Sequence, residues 1–600
     1  MPQKFILALL GLFNVGFSFG QGPEHHIPEQ AVTVFSINNQ KVLSNISLNE
    51  LISYDFMDEI HQELFDRSTE NKTLEDAGMD FNKRLNVFYG KTNYYELSGF
   101  TFGISNQQNL FQALDDFEAV PSPYPGIQLY RSFFNHLLID KNNALLIRVE
   151  PLEDYVNQLT DSTWYSRGNL PPFYNEEEDP DNPDYNPIPQ ENNEINEKNY
   201  YELRDSLQYT LNQEYLTIIL KDLYVSNNNL FRKDSNFRDL LTHEAAGVFF
   251  MDNSRNIDRA KNLWYLKTFL PTLYLDVQDL YEGNIITGDL LLLDQQIQFN
   301  LKAHYGDALG SIYTSLNDAK FDKNISNYIK KNQAAYFTYN VNLRNAYEKA
   351  FEVIVPILSK TKDPEVSYDL LMVKLANALI NKDALFDAAK GSMFITFGGI
   401  EKVKTKRIEF FYDEVTFEYG EREAEAEEDM PIFTIGFSTK RQDIPEMVLE
   451  HLSQVTSKFQ KQGDLWVYNK AIFEAAPLYL LNKKDLFILT NDSVLAKQYP
   501  DGYGKDRLSK KTLKGLKNSG SMAGYADLQA LVNKFPKEFL SGSNQALIES
   551  LRSKSGTMHM HSGKTSKNST EVQLTYDYTE SLNSGKYLLD LINTLYLLNK

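Results

Sequence analysis

Six hundred residues with 42% hydrophobic, 13% aromatic and 24% charged side chains are too many for one hydrophobic core, so two large domains or several smaller ones are expected. The balance of 60 Lys+Arg against 81 Asp+Glu, formally −21, opposes attraction to phosphate backbones and anionic lipid, which removes nucleic acid from the partners to consider. Cysteine is absent, which excludes disulfides, thiolate nucleophiles, Cys-ligated zinc and lipid attachment through an N-terminal cysteine.

Residues 1–20 carry one cation at Lys4, an apolar run over 5–13, and small residues Ser18 and Gly20 at the −3 and −1 positions of a cleavage site. This predicts a secretory signal peptide and a mature chain starting near Gln21. A membrane anchor is the alternative, but the run is short and broken by Gly11, Asn14 and Gly16. No later stretch offers 18 uninterrupted apolar residues, so no transmembrane helix is expected after cleavage, and the periplasm is the expected location, with any outer-membrane association made through a partner.

The first strand pattern, residues 31–37 (AVTVFSI), returns at 334–339 (AAYFTY), each followed by an Asn, Asn38 and Asn340, and a helical pattern. Pairing Phe35 with Phe337 sets an offset of 302. Next, 100–117 (FTFGISNQQNLFQALDDF) returns as 433–450 (FTIGFSTKRQDIPEMVLE): Phe100/Phe433, Thr101/Thr434, Gly103/Gly436 and Ser105/Ser438 match 333 positions apart. Leu129-Tyr130 and Val467-Tyr468, at 338, open segments that end in the apolar strands 144–149 (ALLIRV) and 486–490 (LFILT). The stretches 246–252 (AGVFFMD) and 523–527 (AGYAD) pair at 275, as do 297–305 (IQFNLKAHY) and 572–578 (VQLTYDY). Both series close on an amphipathic helix, with Leu309, Ile312, Tyr313 and Leu316 in one and Leu588, Leu591, Ile592 and Leu595 in the other.

Five short matches in one order point to a duplication, with two unrelated α+β domains as the alternative. The expected fold is therefore α+β: two tandem homologous modules of mixed or antiparallel sheet with packed helices, spanning 29–320 and 330–600. The drift of the offset places an acidic Pro/Asn-rich insert at 171–198 in the first module and an acidic hairpin insert at 401–430 in the second. The former, dense in Pro, Asn and acid, reads as a solvated loop.

Motifs with chemistry fail one by one. Asp179, Asp181 and Asp184 offer hard oxygen ligands for calcium, but Pro183, Asp184 and Gln190 break the helix-loop-helix calcium template. His559 and His561 fall on one face of a strand without a third or fourth metal ligand nearby. HSGKTS lacks the first Gly of a phosphate loop at the required spacing, and strands flank it. His243-Glu244 has Gly247 where a zinc-protease helix needs its second His, and Gly502 and Gly504 read as a turn. Trp164, Tyr165, Phe173, Tyr174 and Tyr185 could form an aromatic surface or anchor a loop. No catalytic, cofactor-binding or metal-binding residue is assigned.

With its leader ending FSFGQ, its lack of cysteine, and openings of the AVTVFSINNQKVLSN and AGYADLQALVNKFP type, the chain resembles a family of uncharacterised exported proteins of Bacteroidota, a domain of unknown function. The resemblance implies an envelope location and an α+β fold, and it carries no functional residues. Many relatives resemble lipoproteins, a feature this cysteine-free chain lacks. The expected function is a non-enzymatic binding or scaffold protein contacting envelope protein or polymer, since duplicated surfaces raise effective concentration for a repetitive partner. A periplasmic hydrolase acting on glycan or peptide through a carboxylate pair is the alternative.

Overall fold

The computed structural model describes residues 22–57, 78–114, 117–167, 190–255, 280–319, 321–360, 364–413, 417–469, 477–498, 501–533, 549, 552–563, 565, 568–580 and 582–598. The leader (1–20) and residues 171–189 of the expected loop lie outside them. The fold is α+β with antiparallel sheet, and the chain divides into two compact units, 1–259 and 260–600. No described helix is long and apolar enough to cross a membrane.

In the first unit the strands are β1 (Thr33–Ile37), β2 (Met79–Asp80), β3 (Leu85–Lys91), β4 (Tyr95–Ile104), β5 (Glu118–Val120), β6 (Ile127–Ser132), β7 (Asn135–Asp140), β8 (Asn143–Pro151) and β9 (Gly247–Asp252). They pair antiparallel in the order β9-β1-β3-β4-β8-β7-β6-β5, with β2 on the end of β4. Side chains alternate between faces, so Val34, Phe88, Leu97, Ile147 and Phe250 share one face, and all are buried. The helix Gln190–Tyr224 lies on it: Leu211, Tyr215, Leu216, Ile219, Leu220 and Leu223 recur at helical spacing and are buried. Asn212 donates its amide to the Val149 carbonyl, and Tyr215 stacks on Tyr95 at 4.6 Å. A single buried Leu or Phe of this kind contributes about 1.5–3 kcal/mol.

This helix corrects the expected loop, since residues 190–198 are its first turns. The polar composition of ENNEINEK argued against structure, but extending a helix already held by its packed C-terminal half adds one hydrogen bond per residue without a new nucleus.

The second unit contains β10 (Ile285–Leu293), β11 (Gln296–His304), β12 (Ala335–Asn340), β13 (Ser392–Asp413), β14 (Glu418–Ser438), β15 (Phe459–Gln462), β16 (Leu465–Tyr468), β17 (Leu478–Lys483), β18 (Leu486–Thr490), β19 (Met522–Asp527), β20 (Thr557–Ser562) and β21 (Ser569–Asp577). The pairing order is β10-β11-β21-β20-β19-β12-β13-β14-β18-β17-β16-β15. Its core gathers Ile325, Tyr328, Phe394, Leu481, Ile488, Leu508 and Leu516. The hairpin β10–β11, which the sequence reading placed in the first module, lies in this unit, where β11 pairs with β21. Phe299 and Leu574, 275 positions apart, face each other directly in that ladder.

From β19 to β15 the order repeats, element for element, that of the first unit from β9 to β5. Loop hydrogen bonds recur at matched positions. The Asn38 amide donates to the Ala246 carbonyl (2.8 Å) and Asn340 to Ser521 (2.7 Å); Asp252 donates to Val32 and Asp527 to Ala334, both at 2.7 Å. Leu230 donates to Ile27 (3.0 Å) and Leu508 to Ile329 (3.1 Å), while Ile104 donates to Asn142 and Thr439 to Asp485, both at 2.9 Å. Offsets of 302 for β1/β12 and 275 for β9/β19 coincide with the sequence matches. The ladder places β4/β14 at 335, with Thr101 between Asn86 and Leu145 where Gly436 lies between Phe394 and Ile488. Similarly, Tyr130 opposite Leu137 corresponds to Trp466 opposite Leu480, an offset of 336. The sequence matches at 333 and 338 are each two residues out. A slip of two keeps every side chain on its own face, so the hydrophobic pattern cannot detect it.

Candidate interaction surface

The largest departure between the two units follows β13. In the first unit β3 and β4 are joined by residues 92–94, whereas the corresponding connection in the second runs over 400–429. A register shift between Phe397 and Gly399, where Gly399 has φ +106°, marks the base; a side chain would be strained there. Beyond it β13 and β14 pair without interruption to Asp413↔Glu418. β12 accompanies β13 only to Phe397, and β18 accompanies β14 only from Thr434, so among the described residues 400–429 form a two-stranded arm with no third strand. At about 3.3 Å per residue the arm is roughly 40 Å long.

An isolated two-stranded ribbon is marginal in water. Here the register sets Lys402 opposite Asp429 and Lys404 opposite Glu427, and Arg422 reaches Glu409 at 3.3 Å. Opposite-charge pairs of this kind add about 0.2–1 kcal/mol each, and charge along the edges discourages edge-to-edge aggregation. Towards the tip the pattern changes. Glu423 and Glu421 stand opposite Ile408 and Phe410, and Tyr412 meets Tyr419 at 5.1 Å between ring centroids. Phe410, Phe417 and Tyr419 are 71, 76 and 79% exposed, while on the opposite face Arg422 lies 5.7 Å from the Phe411 ring. Singly exposed aromatics are ordinary, but a cluster at the end of a projecting ribbon marks a contact surface.

A second apolar surface lies on the helix Pro364–Leu379. Val366 and Leu370 are buried, while Tyr368, Leu371, Met372, Leu375 and Leu379 are exposed at helical spacing. The sheet of this unit is also more open than its counterpart: Ile395 and Phe437 are each 40% exposed, whereas Val87 and Phe102 at the corresponding ladder positions are 1 and 4%. The hairpin at 401–430 was expected from the sequence; its aromatic tip and the helix stripe were not. The run LLMVKLANALI, apolar around most of a helix apart from Lys374 and Asn377, was the available signal for the latter.

The sites raised by sequence do not assemble. Asp179, Asp181 and Asp184, with Phe173, Tyr174 and Tyr185, lie outside the described residues. Trp164 is buried edge-on against Tyr200 at 5.6 Å and anchors its helix, while Tyr165 is exposed. His559 and His561 are exposed on β20, and His559 Nε2 lies 3.7 Å from Asp577. Among the described residues no three His, Asp or Glu are grouped to hold a metal ion. Glu244 pairs with Lys41 at 2.9 Å, and Gly502 and Gly504, with φ +67° and +56°, form the expected turn.

Two polar clusters in the first unit were not foreseen. A cavity of about 250 Å³ is lined by Glu29, Lys233, Asp252 and Arg255, which satisfy one another as Lys233–Glu29 and Arg255–Asp252 pairs, each 2.5 Å. His26, 5% exposed, places Nδ1 3.3 Å from the Tyr224 hydroxyl and Nε2 3.8 Å from Asp140. Burial pulls its pKa down to about 4, against the opposing pull of Asp140 and with help from His25 and Lys83. His136 is likewise held at about 4, chiefly by burial. A neutral imidazole sealed among Tyr224 and sheet side chains, without access for a substrate, is a packing group.

No protein family matches the chain, and no curated protein matches it. Among solved structures it is similar to TP0453 in two crystal forms. Form I has 9% identity over 48% of this chain and 81% of that chain with a TM-score of 0.20; form III has 10% identity over 52% and 85% with 0.21. Superposition at that level transfers neither fold nor function.

Proposed function

We propose that the protein is a non-enzymatic binding protein of the cell envelope, exported through cleavage after Gly20, built by duplication of one α+β module, and resident in the periplasm. It engages a partner protein through the arm formed by 400–429. The observation that carries this reading is the exposed aromatic tip of Phe410, Phe417 and Tyr419 on an arm with no counterpart in the first unit. The leader-like N-terminus supports export, and the coincident strand orders and loop hydrogen bonds support duplication. The hydrolase alternative has no residue assignment behind it among the described residues.

The test is to replace 400–429 in the full chain with a three-residue link, as in the first unit. Circular dichroism and the melting temperature stay near those of the intact protein, while co-fractionation with the envelope is lost. Undiminished co-fractionation of the trimmed protein refutes the reading.

A further inference from the structure

The arm displays two edges of opposite chemistry. One strand carries Lys402 and Lys404, whereas the other carries acids at alternate positions from Glu421 to Glu427, all on one face. The Glu-bearing strand has its inner edge hydrogen-bonded to β13, and among the described residues no strand pairs with its outer edge between Tyr419 and Met430. Building on the reading above, we propose that this outer edge receives an extended, basic segment of a partner protein as a third strand, with its apolar end against the aromatic tip.

Three features select that occupant. Backbone groups along an open edge are satisfied by an added strand, which is a recurrent mode of peptide recognition. Carboxylates at period two call for cations at period two, so a strand with Lys or Arg at alternate positions brings a cation beside Glu421 and Glu423, which face Phe410 and Ile408 across the ribbon, and sets Glu427 between cations on both sides. The tip then offers Phe410, Tyr412 and Tyr419 to apolar side chains or to an Arg laid over a ring, an arrangement the arm already makes once between Arg422 and Phe411. A second copy fits less well. Two Glu edges repel each other, and a Glu edge against the Lys edge of another copy is a head-to-tail contact that propagates into chains or rings. Insertion of the tip into a membrane would take the flanking carboxylates out of water.

The test uses the mature full-length protein and three probes: a fluorescein-labelled alternating Lys-Val 12-mer, its Glu-Val counterpart, and phosphatidylcholine vesicles. The Lys-Val peptide binds, protects backbone amides of 419–429 from hydrogen exchange, and weakens about tenfold or more between about 50 and 300 mM salt. Binding is lost in the charge-neutral double change Phe410→Ser with Tyr419→Ser, and falls about tenfold with Glu421→Gln, Glu423→Gln, Glu425→Gln and Glu427→Gln combined. Equal binding of the Glu-Val peptide, binding without protection of 419–429, or vesicle binding in place of peptide binding overturns the proposal. So does self-association in sedimentation that disappears when the arm is trimmed, which would make a second copy the occupant. If trimming abolishes envelope co-fractionation but no probe binds, the basic-strand inference falls while the binding reading stands. If the trimmed protein still co-fractionates, the reading itself falls.

Discussion

Lowering the pH from 7 to 5 destabilises the first unit selectively, because the two units differ at two corresponding positions, one in the short helical turn before β1 and β12 and one in the β7/β17 ladder. His26 and His136 occupy places held by Tyr328 and Tyr479 in the second unit, at offsets of 302 and 343. Both His pKa values fall from 6.5 to about 4 on folding, driven first by burial. A depressed folded value means the unfolded chain binds more protons between pH 6.5 and 4, so the stability is full above 6.5, falls as pH drops through that window, and levels off near 4. At pH 5 each His removes about 2 kcal/mol, and the two together about 4 kcal/mol. Tyrosine does not titrate in this range, so the second unit lacks the effect. Hydrogen exchange of the full chain reads the units separately: after correction for intrinsic rates, β1 and β3 lose about a thousand-fold protection relative to β12 and β13. In His26→Gln about half of the pH-dependent loss disappears, whatever that change does at pH 7. Equal losses in both units, or an unchanged pH slope in His26→Gln, would refute burial as the source of the shift.

Glu446 accepts hydrogen bonds from the Trp466 indole at 3.2 Å and from Asn482, and pairs with Lys461 at 2.5 Å. Burial works against its charge, but the bonds from Lys461, Trp466 and Asn482 outweigh it and hold the carboxyl below its usual range. Glu446→Ala therefore costs about 1–3 kcal/mol in urea unfolding, since it strands a buried indole N–H; a change below about 0.5 kcal/mol would show that water replaces the bond. On the helix Pro364–Leu379, Met372→Gln and Leu375→Gln shift stability by less than about 0.5 kcal/mol and raise solubility; a larger loss would mean the stripe is covered. Deleting 175–189, whose Pro/Asn-rich acidic sequence reads as a solvated loop, moves the melting temperature little, because loop closure costs only about 0.6 kcal/mol per doubling of length; a large fall would refute that reading of the sequence. Mass spectrometry of the exported protein finds Gln21 first, and protease shaving of intact cells leaves it whole; the precursor mass or rapid degradation would overturn the assignment of the leader and of the periplasm.

The local pattern along the chain is enough to locate the strands 31–37, 144–149, 246–252 and 486–490 and the closing helices, because burial on one face writes a period of 2 or 3.6 directly into residue order. It also places the hairpin insert, since KRIEFFYDEVTFEYG alternates on both sides of a turn. Register was beyond it: Thr101 aligns by composition with Thr434, yet the ladder sets Gly436 in its place, and a slip of two leaves the pattern unchanged. Long-range pairing was equally out of reach, for β11 lies against β21 through backbone hydrogen bonds to which side-chain chemistry is nearly indifferent. The candidate surface depends on what is left uncovered. Phe410 and Tyr419 read in sequence like any strand aromatics, and they stand exposed because, among the described residues, 400–429 run beyond the sheet as two strands alone. That decision belongs to tertiary structure, because exposure depends on neighbours far away in the chain, and no local property of residues 400–429 records whether such neighbours arrive.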